Sequence, residues 1–252
     1  HYTVPGAWQD KGSATDFGAD LYAETMRKAA YMDDLIRGHL AIMDRYDPEH
    51  RVGLIVDEWG CWHNDKTDLV AENHLFEQQS TMRDAVVTAL TLNIFNNHSD
   101  RVVMANLAQA VNVLQALILT EGEKMIKTPT YHVFDLFKEH QKGELIYSHI
   151  KNETVGEGAE IPMISCSASI KENVITVTLA NCSLSEDAEI SCGLNGFLPS
   201  SASAEILTGN VTDKNDFDMP ENVAIEPYAA SIENGGFSVV LPPCSVVRVT
   251  LS

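Results

Sequence analysis

The segment Asp57-Glu58-Trp59-Gly60-Cys61-Trp62 sets two adjacent carboxylates beside two aromatic platforms, directly after the apolar run Val52-Gly53-Leu54-Ile55-Val56. A continuous apolar run of this length suits a strand buried on both faces, as in a parallel sheet. In parallel α/β folds the residues at the C-terminal end of a strand face the ligand crevice. A carboxylate in that position is costly unless it is used or paired. Two tryptophans beside it suit a sugar ring, whose C–H faces stack on indole while its hydroxyls find polar groups. The same residues admit a plainer reading, in which Asp57 or Glu58 caps the next element and the tryptophans are core. An acidic pair by itself is a weak signal.

Other chemistry-bearing residues read more simply. Glu121-Gly122-Glu123 is a second carboxylate pair, expected in a solvated loop with capping duty. His63 reads as an exposed loop histidine, and His132 as a structural residue on an amphipathic helix. Cys61, Cys166, Cys182, Cys192 and Cys244 form no CxxC pair and have no metal-like spacing with histidine. They read as small packing residues, in a chain where disulfides are unimportant. No HExxH pair occurs.

The elements that must position these residues follow from periodicity. Leu21, Ala29, Met32, Ile36 and Leu40 predict a helix over Ala19–Tyr46, ended by Asp47-Pro48. Met82, Val86, Leu90 and Ile94 predict a helix over Glu77–Asn96, and Arg101–Asn106 reads as a short strand. Ala110–Leu119 and Thr130–His140 read as further helices, and His1–Val4 as a possible strand. This alternation means a parallel α/β arrangement, amounting to the last third to half of a (β/α)8 barrel. After Gly143 the character changes. Met163–Ile170, Val174–Leu179, Ala188–Ser191, Ser238–Leu241 and Ser245–Leu251 read as strands separated by turn residues, which means an antiparallel sandwich or jelly roll. All three tryptophans lie in the first part.

Composition narrows the classes of function. The 252 residues carry 17 Lys plus Arg against 36 Asp plus Glu, a formal charge of −19. Residues 1–141 hold 12 basic and 21 acidic side chains (net −9), and residues 142–252 hold 5 and 15 (net −10). That excess argues against a nucleic-acid partner and against docking on anionic lipid. No apolar run reaches the roughly 18–20 residues of a membrane helix. The first residues, His1-Tyr2-Thr3-Val4-Pro5, are strand-like, and the chain reads as cut from something longer. The compartment is left open between cytoplasm and periplasm.

Three ordered motifs carry a family resemblance. GLIVDEWGCWHN (53–64) resembles the nucleophile strand of glycoside hydrolase family 51, the retaining α-L-arabinofuranosidases. HYTVPGAWQDKGSATDF (1–17) resembles that family's sixth barrel strand and the loop after it, and SDRVVMANLAQAVNVLQALILTEGEKMIKTPTYHVFDLF (99–137) its eighth strand and last barrel helices. The acidic tail resembles the family's C-terminal jelly roll in position and type only. The resemblance implies residues 1–141 as the C-terminal portion of a TIM barrel and 142–252 as an antiparallel β-sandwich domain. It implies removal of terminal α-L-arabinofuranosyl groups from arabinan or arabinoxylan, with Glu58 as nucleophile in a covalent glycosyl-enzyme intermediate. No metal or organic cofactor is implied, because carboxylates do the work.

By the same resemblance, Trp62 flanks the arabinofuranose subsite and Gln109 hydrogen-bonds sugar hydroxyls. Tyr2 takes the place of a tyrosine that hydrogen-bonds the nucleophile, with His1 beside it. Shifting the alignment by one makes His1 the substrate-facing histidine instead. Trp8 is a candidate wall of the cleft. Tyr and Gln donors would suit a nucleophile that must stay ionised, and a retaining enzyme needs a second carboxyl about 5–5.5 Å away. The family's acid/base lies in an Asn-Glu pair upstream of the sixth strand, and no such pair here fits: Asn152-Glu153 falls beyond the barrel segment. The chain therefore carries half of the dyad and is expected to be inactive alone, and to be completed by a companion chain or to self-associate. A different glycosidase on the same barrel, of β-glucanase or xylosidase type, and a carbohydrate-binding module without chemistry are the alternatives.

Overall fold

The computed structural model describes residues 1–6, 11–64, 76–156 and 161–252. Strand β1 (Tyr2–Val4) is followed by helices α1 (Ala19–Ala30) and α2 (Met32–Tyr46), strand β2 (Leu54–Cys61), helix α3 (Met82–Asn97) and strand β3 (Val102–Leu107). The three strands form one parallel sheet in the order β1-β2-β3. A hairpin of β4 (Ile118–Glu121) and β5 (Lys124–Lys127) leads to helix α4 (Pro129–Phe137) and a 3-10 turn at Lys138–His140.

Short strands β6 (Glu144–Ile146), β7 (Thr154–Val155) and β8 (Ile161–Pro162) precede β9 (Ile164–Lys171), β10 (Val174–Asn181) and β11 (Ala188–Gly193). Strands β12 (Ala202–Thr208), β13 (Glu226–Tyr228), β14 (Ser231–Glu233), β15 (Gly236–Leu241) and β16 (Ser245–Leu251) complete the chain. Six strands form one sheet in the order β13-β12-β16-β10-β9-β6, and three form a second in the order β11-β15-β14. Val177, Leu179, Val247, Val249, Phe237 and Val239 fill the space between them, as alternating inward side chains do in a β-sandwich.

Helix α3 joins the two parts. It has almost no polar face, and nearly every residue from Met82 to Phe95 is buried, as a helix covered on all sides must be. The parallel sheet with α1 and α4 lies on one side of it, and the six-stranded sheet on the other. A single apolar cluster accordingly runs from Tyr22 and Met26 through Val86 and Leu90 to Ala180, Leu207 and Val246. This explains β10, which is buried at seven consecutive positions: one of its faces packs in the sandwich and the other on α3.

Several expected elements differ. The helix expected over Ala19–Tyr46 is interrupted at Tyr31. The one expected from Glu77 begins at Met82, because the Asp84 carboxylate accepts the Thr81 amide at 2.7 Å and starts the helix there. No helix forms over Ala110–Leu119. The side chain of Asn112 instead binds Thr120, accepting from its amide at 2.7 Å and donating to its carbonyl at 3.1 Å. Asn112 and Leu114 both take left-handed backbone, which breaks a helix. Strand β12, not among the expected strands, alternates Ala202, Ala204 and Ile206 with Ser203 and Glu205, and its alanines make that apolar pattern weak. Among the described residues, no helix is long and apolar enough to cross a membrane.

Candidate active site

Burial changes sharply along the end of β2, where Gly60 is buried together with its neighbours. Trp59, Cys61 and His63 are buried, whereas Glu58 and Trp62 are half-exposed. Trp59 packs on the helices, edge-on to Phe95 at 5.2 Å and stacked on Phe134 at 6.2 Å. One extra residue sits in β2 between Val56, opposite Ala105, and Trp59, opposite Leu107. Bulges of this kind re-aim side chains next to binding sites. Here it leaves both Asp57 and Glu58 off the helix side: Asp57 is exposed and accepts from Asn106 at 3.3 Å.

The Nδ1 of His1 lies 2.9 Å from Glu58 Oε2. The register explains which residue of β1 reaches it. Tyr2 pairs with Trp59 in a parallel ladder, so both point to the helices. The expected hydrogen bond from Tyr2 to Glu58 is therefore not formed. The Tyr2 hydroxyl donates to the Lys28 carbonyl at 2.8 Å, its ring lies 6.3 Å from that of Tyr31, and burial raises its pKa. The residue of β1 beside Glu58 is His1.

Gln109 is exposed just past the end of β3, and its amide donates to the Val113 carbonyl at 3.1 Å. Trp62 has the ring of Phe76 edge-on at 5.6 Å and the Lys11 ammonium 3.5 Å from its ring centre. Trp8 lies outside the described residues. Glu121 and Glu123 are exposed on either side of Gly122 at the β4–β5 turn. His132 is partly buried on α4, and its pKa is lowered by burial and by Lys127. All five cysteines are free, and Cys61, Cys182 and Cys244 are buried.

Beneath the Glu58–Trp62 segment lies a polar bed that the sequence reading missed. His63, expected in an exposed loop, is 1% exposed. Its Nε2 lies 2.8 Å from Asp84 Oδ1 and 2.6 Å from Arg83 Nη2. Burial, with Arg83 beside it, lowers the His63 pKa despite the carboxylate. Burial alone would raise the Asp84 carboxyl, but Arg83, His63 and the Thr81 amide hold it well below the usual range. Arg83 also donates to the Ala14 carbonyl at 3.0 Å and covers the Phe17 ring at 3.7 Å, which ties the loop after β1 to α3. The only sequence signal for this bed was Thr81 three residues before Asp84, the spacing of a helix cap.

Cys61, His63 and Asp84 bring their ligand atoms within 4.8 Å of one another, close enough to hold a metal ion. The Arg83 guanidinium at 2.6 Å from His63 Nε2 already supplies positive charge there, so a divalent cation fits poorly. Two glutamines complete the bed. Gln115 accepts from the Cys61 amide at 2.6 Å and donates to Thr88 and Thr130. Gln78 bonds both neighbours of Trp62. Gly60 has φ +118°, and a Cβ there would lie 2.8 Å from both Gln115 Oε1 and Leu107. Only glycine fits that position.

Comparison with known proteins agrees with this layout. Residues 57–245 match the family model described as the α-L-arabinofuranosidase C-terminal domain. An intracellular exo-α-L-arabinofuranosidase of Bacteroides ovatus is 40% identical over all of this chain and 49% of its own length. A GH51 arabinofuranosidase from Xanthomonas axonopodis pv. citri superposes with a TM-score of 0.94 at 36% identity, covering 100% of this chain and 51% of that one. The arabinofuranosidase of Thermotoga maritima, solved with arabinose, superposes at 0.78 with 25% identity, over 92% and 50%. The chain thus spans about half the length of the relatives it matches.

Proposed function

The chain belongs to the glycoside hydrolase family 51 α-L-arabinofuranosidases, and we propose that it forms the C-terminal portion of a retaining, exo-acting enzyme of that type. In this reading residues 1–141 are the last strands and helices of a (β/α)8 barrel, and residues 142–252 are its β-sandwich companion. The observation that carries it is the carboxylate of Glu58, placed near the end of a parallel strand with His1 on one side and an indole four residues on.

Glu58 is the nucleophile. Its Oε attacks the anomeric carbon, the glycosidic bond breaks, and a covalent arabinosyl ester forms that water then hydrolyses. His1, with its Nδ1 2.9 Å from Oε2, orients the carboxylate. Trp62 and Gln109 flank the sugar. The acid/base carboxyl that protonates the leaving oxygen comes from outside these residues, in the half of the relatives' length that this chain does not span. The substrates are terminal α-L-arabinofuranosyl groups on arabinan, arabinoxylan or their oligosaccharides.

The test is to join the chain to the N-terminal half of the Bacteroides ovatus relative and assay aryl α-L-arabinofuranoside against aryl β-xyloside. Turnover of the arabinofuranoside is expected, and an arabinofuranosyl inactivator should add its mass to the peptide carrying Glu58. Glu58→Ala should lower kcat by at least about 10³-fold. Label on another carboxylate, or preference for the xyloside, overturns the assignment.

A further inference from the structure

We propose that Gln78 is the positioning residue for Trp62: one buried side-chain amide fixes the peptide units on both sides of that tryptophan. What Trp62 touches rests on the arabinofuranosidase reading above, whereas what Gln78 does rests on geometry.

Strand β2 ends at Cys61, one residue before Trp62, and its pairing with β3 ends earlier still, at Trp59–Leu107. Gln78 takes over. Its Nε2 donates to the Cys61 carbonyl at 3.2 Å, and its Oε1 accepts from the His63 amide at 2.9 Å. A residue of a neighbouring parallel strand bonds the carbonyl before and the amide after the residue it faces. The Gln78 amide makes that pair of bonds from a side chain and so acts as a one-residue strand beside Trp62. On the other side the Trp62 amide donates to the Val4 carbonyl at 2.8 Å, which extends the β1 ladder. Residue 62 is thereby held extended from both edges. Its neighbours Cys61 and His63 stay buried at 1% exposure each. With both neighbours turned inward, an extended residue must turn outward.

Gln78 is itself 2% exposed, and among the described residues its two side-chain bonds both go to this segment. Its loss would strand a buried carbonyl and a buried amide, which the segment can satisfy only by moving. The indole would move with it, so Gln78 governs how well the sugar is gripped rather than how fast it reacts.

The experiment compares the chain with its Gln78→Met variant, which keeps the volume and removes both bonds. Hydrogen exchange is expected to speed up at the amides of residues 60–64 by roughly tenfold or more, while residues 54–58 of β2 are unchanged. In the enzyme completed with the Bacteroides ovatus half, KM for an aryl arabinofuranoside should rise roughly five- to tenfold, the equivalent of one hydrogen bond, with kcat almost unaltered. A merely structural glutamine would lower the amount of active enzyme and leave KM alone, and that result overturns the proposal. If Gln78→Met does not fold, exchange in the unmodified chain decides: a His63 amide as protected as those of β2 upholds the clamp, and a fast one overturns it. Altered exchange in a protein with no arabinofuranoside turnover upholds the clamp and overturns the substrate reading instead.

Discussion

At the scale of single residues, the parity of a strand separates His1 from Tyr2. The Tyr2–Trp59 register sends Tyr2 to the helices and leaves His1 beside Glu58. Two substitutions in the completed enzyme test this. Tyr2→Phe removes a hydroxyl bound to the Lys28 carbonyl, so it should cost about 1 kcal/mol of stability and leave kcat nearly unchanged. His1→Ala removes the nitrogen 2.9 Å from Glu58, the proposed nucleophile, and should lower kcat/KM by roughly 10- to 100-fold. Thermal unfolding and steady-state kinetics read both. A large kcat loss in Tyr2→Phe would mean that the tyrosine turns toward Glu58 when sugar binds.

At the scale of elements, α3 is welded to the six-stranded sheet by buried polar groups. Asn93 Oδ1 accepts from the hydroxyls of Ser167 and Thr178, each at 2.8 Å, and its Nδ2 donates to Ser165 at 3.2 Å. Asn93→Leu removes the acceptor that Ser167 and Thr178 share and should destabilise by about 1–3 kcal/mol in urea unfolding. His140 belongs to the same seam, 2.7 Å from Ser169 Oγ and 2.9 Å from Thr178 Oγ1. Burial, reinforced by Arg248, lowers its pKa to about 4. The folded state therefore holds this histidine neutral at pH values where the unfolded chain binds a proton. Its contribution is fully present above about pH 6.5, falls as the pH drops toward 4, and is level below that. Between pH 7 and pH 5 the loss should be about 2 kcal/mol, and His140→Gln should remove that part of the pH slope. An unchanged slope in the variant would show that the charge is accommodated.

At the scale of the whole molecule, the sheet that presents Glu58 has three strands among the described residues, and large apolar side chains on it remain open. Ile55 is 48%, Met104 52% and Val103 63% exposed. Apolar side chains and free strand edges this open favour association. Light scattering of the chain alone should therefore show self-association, and the chain joined to the other half of a relative should be better defined in size. A monodisperse monomer that turns over an aryl arabinofuranoside, with activity lost in Glu58→Ala, would overturn both the half-site reading and the expected association.

Helices α1 to α4, most of the longer strands and the carboxylate–indole segment were legible in the sequence, because period and apolar runs encode burial locally. The family was legible too, since GLIVDEWGCWHN sets a carboxylate pair and two tryptophans in the order that the family's motif has, within twelve consecutive residues. Three things were decided by the tertiary structure. The facing of His1 and Tyr2 depends on a register with Trp59, more than fifty residues away. The conformation of residues 110–117 depends on what Asn112 finds in Thr120 rather than on helix propensity. The burial of His63 depends on Arg83, Asp84 and Gln78, which come together only when α3 packs beneath β2. Local pattern states which side chains leave water, but the partners that a buried polar group needs come from distant chain, and only the folded molecule brings them within hydrogen-bond reach.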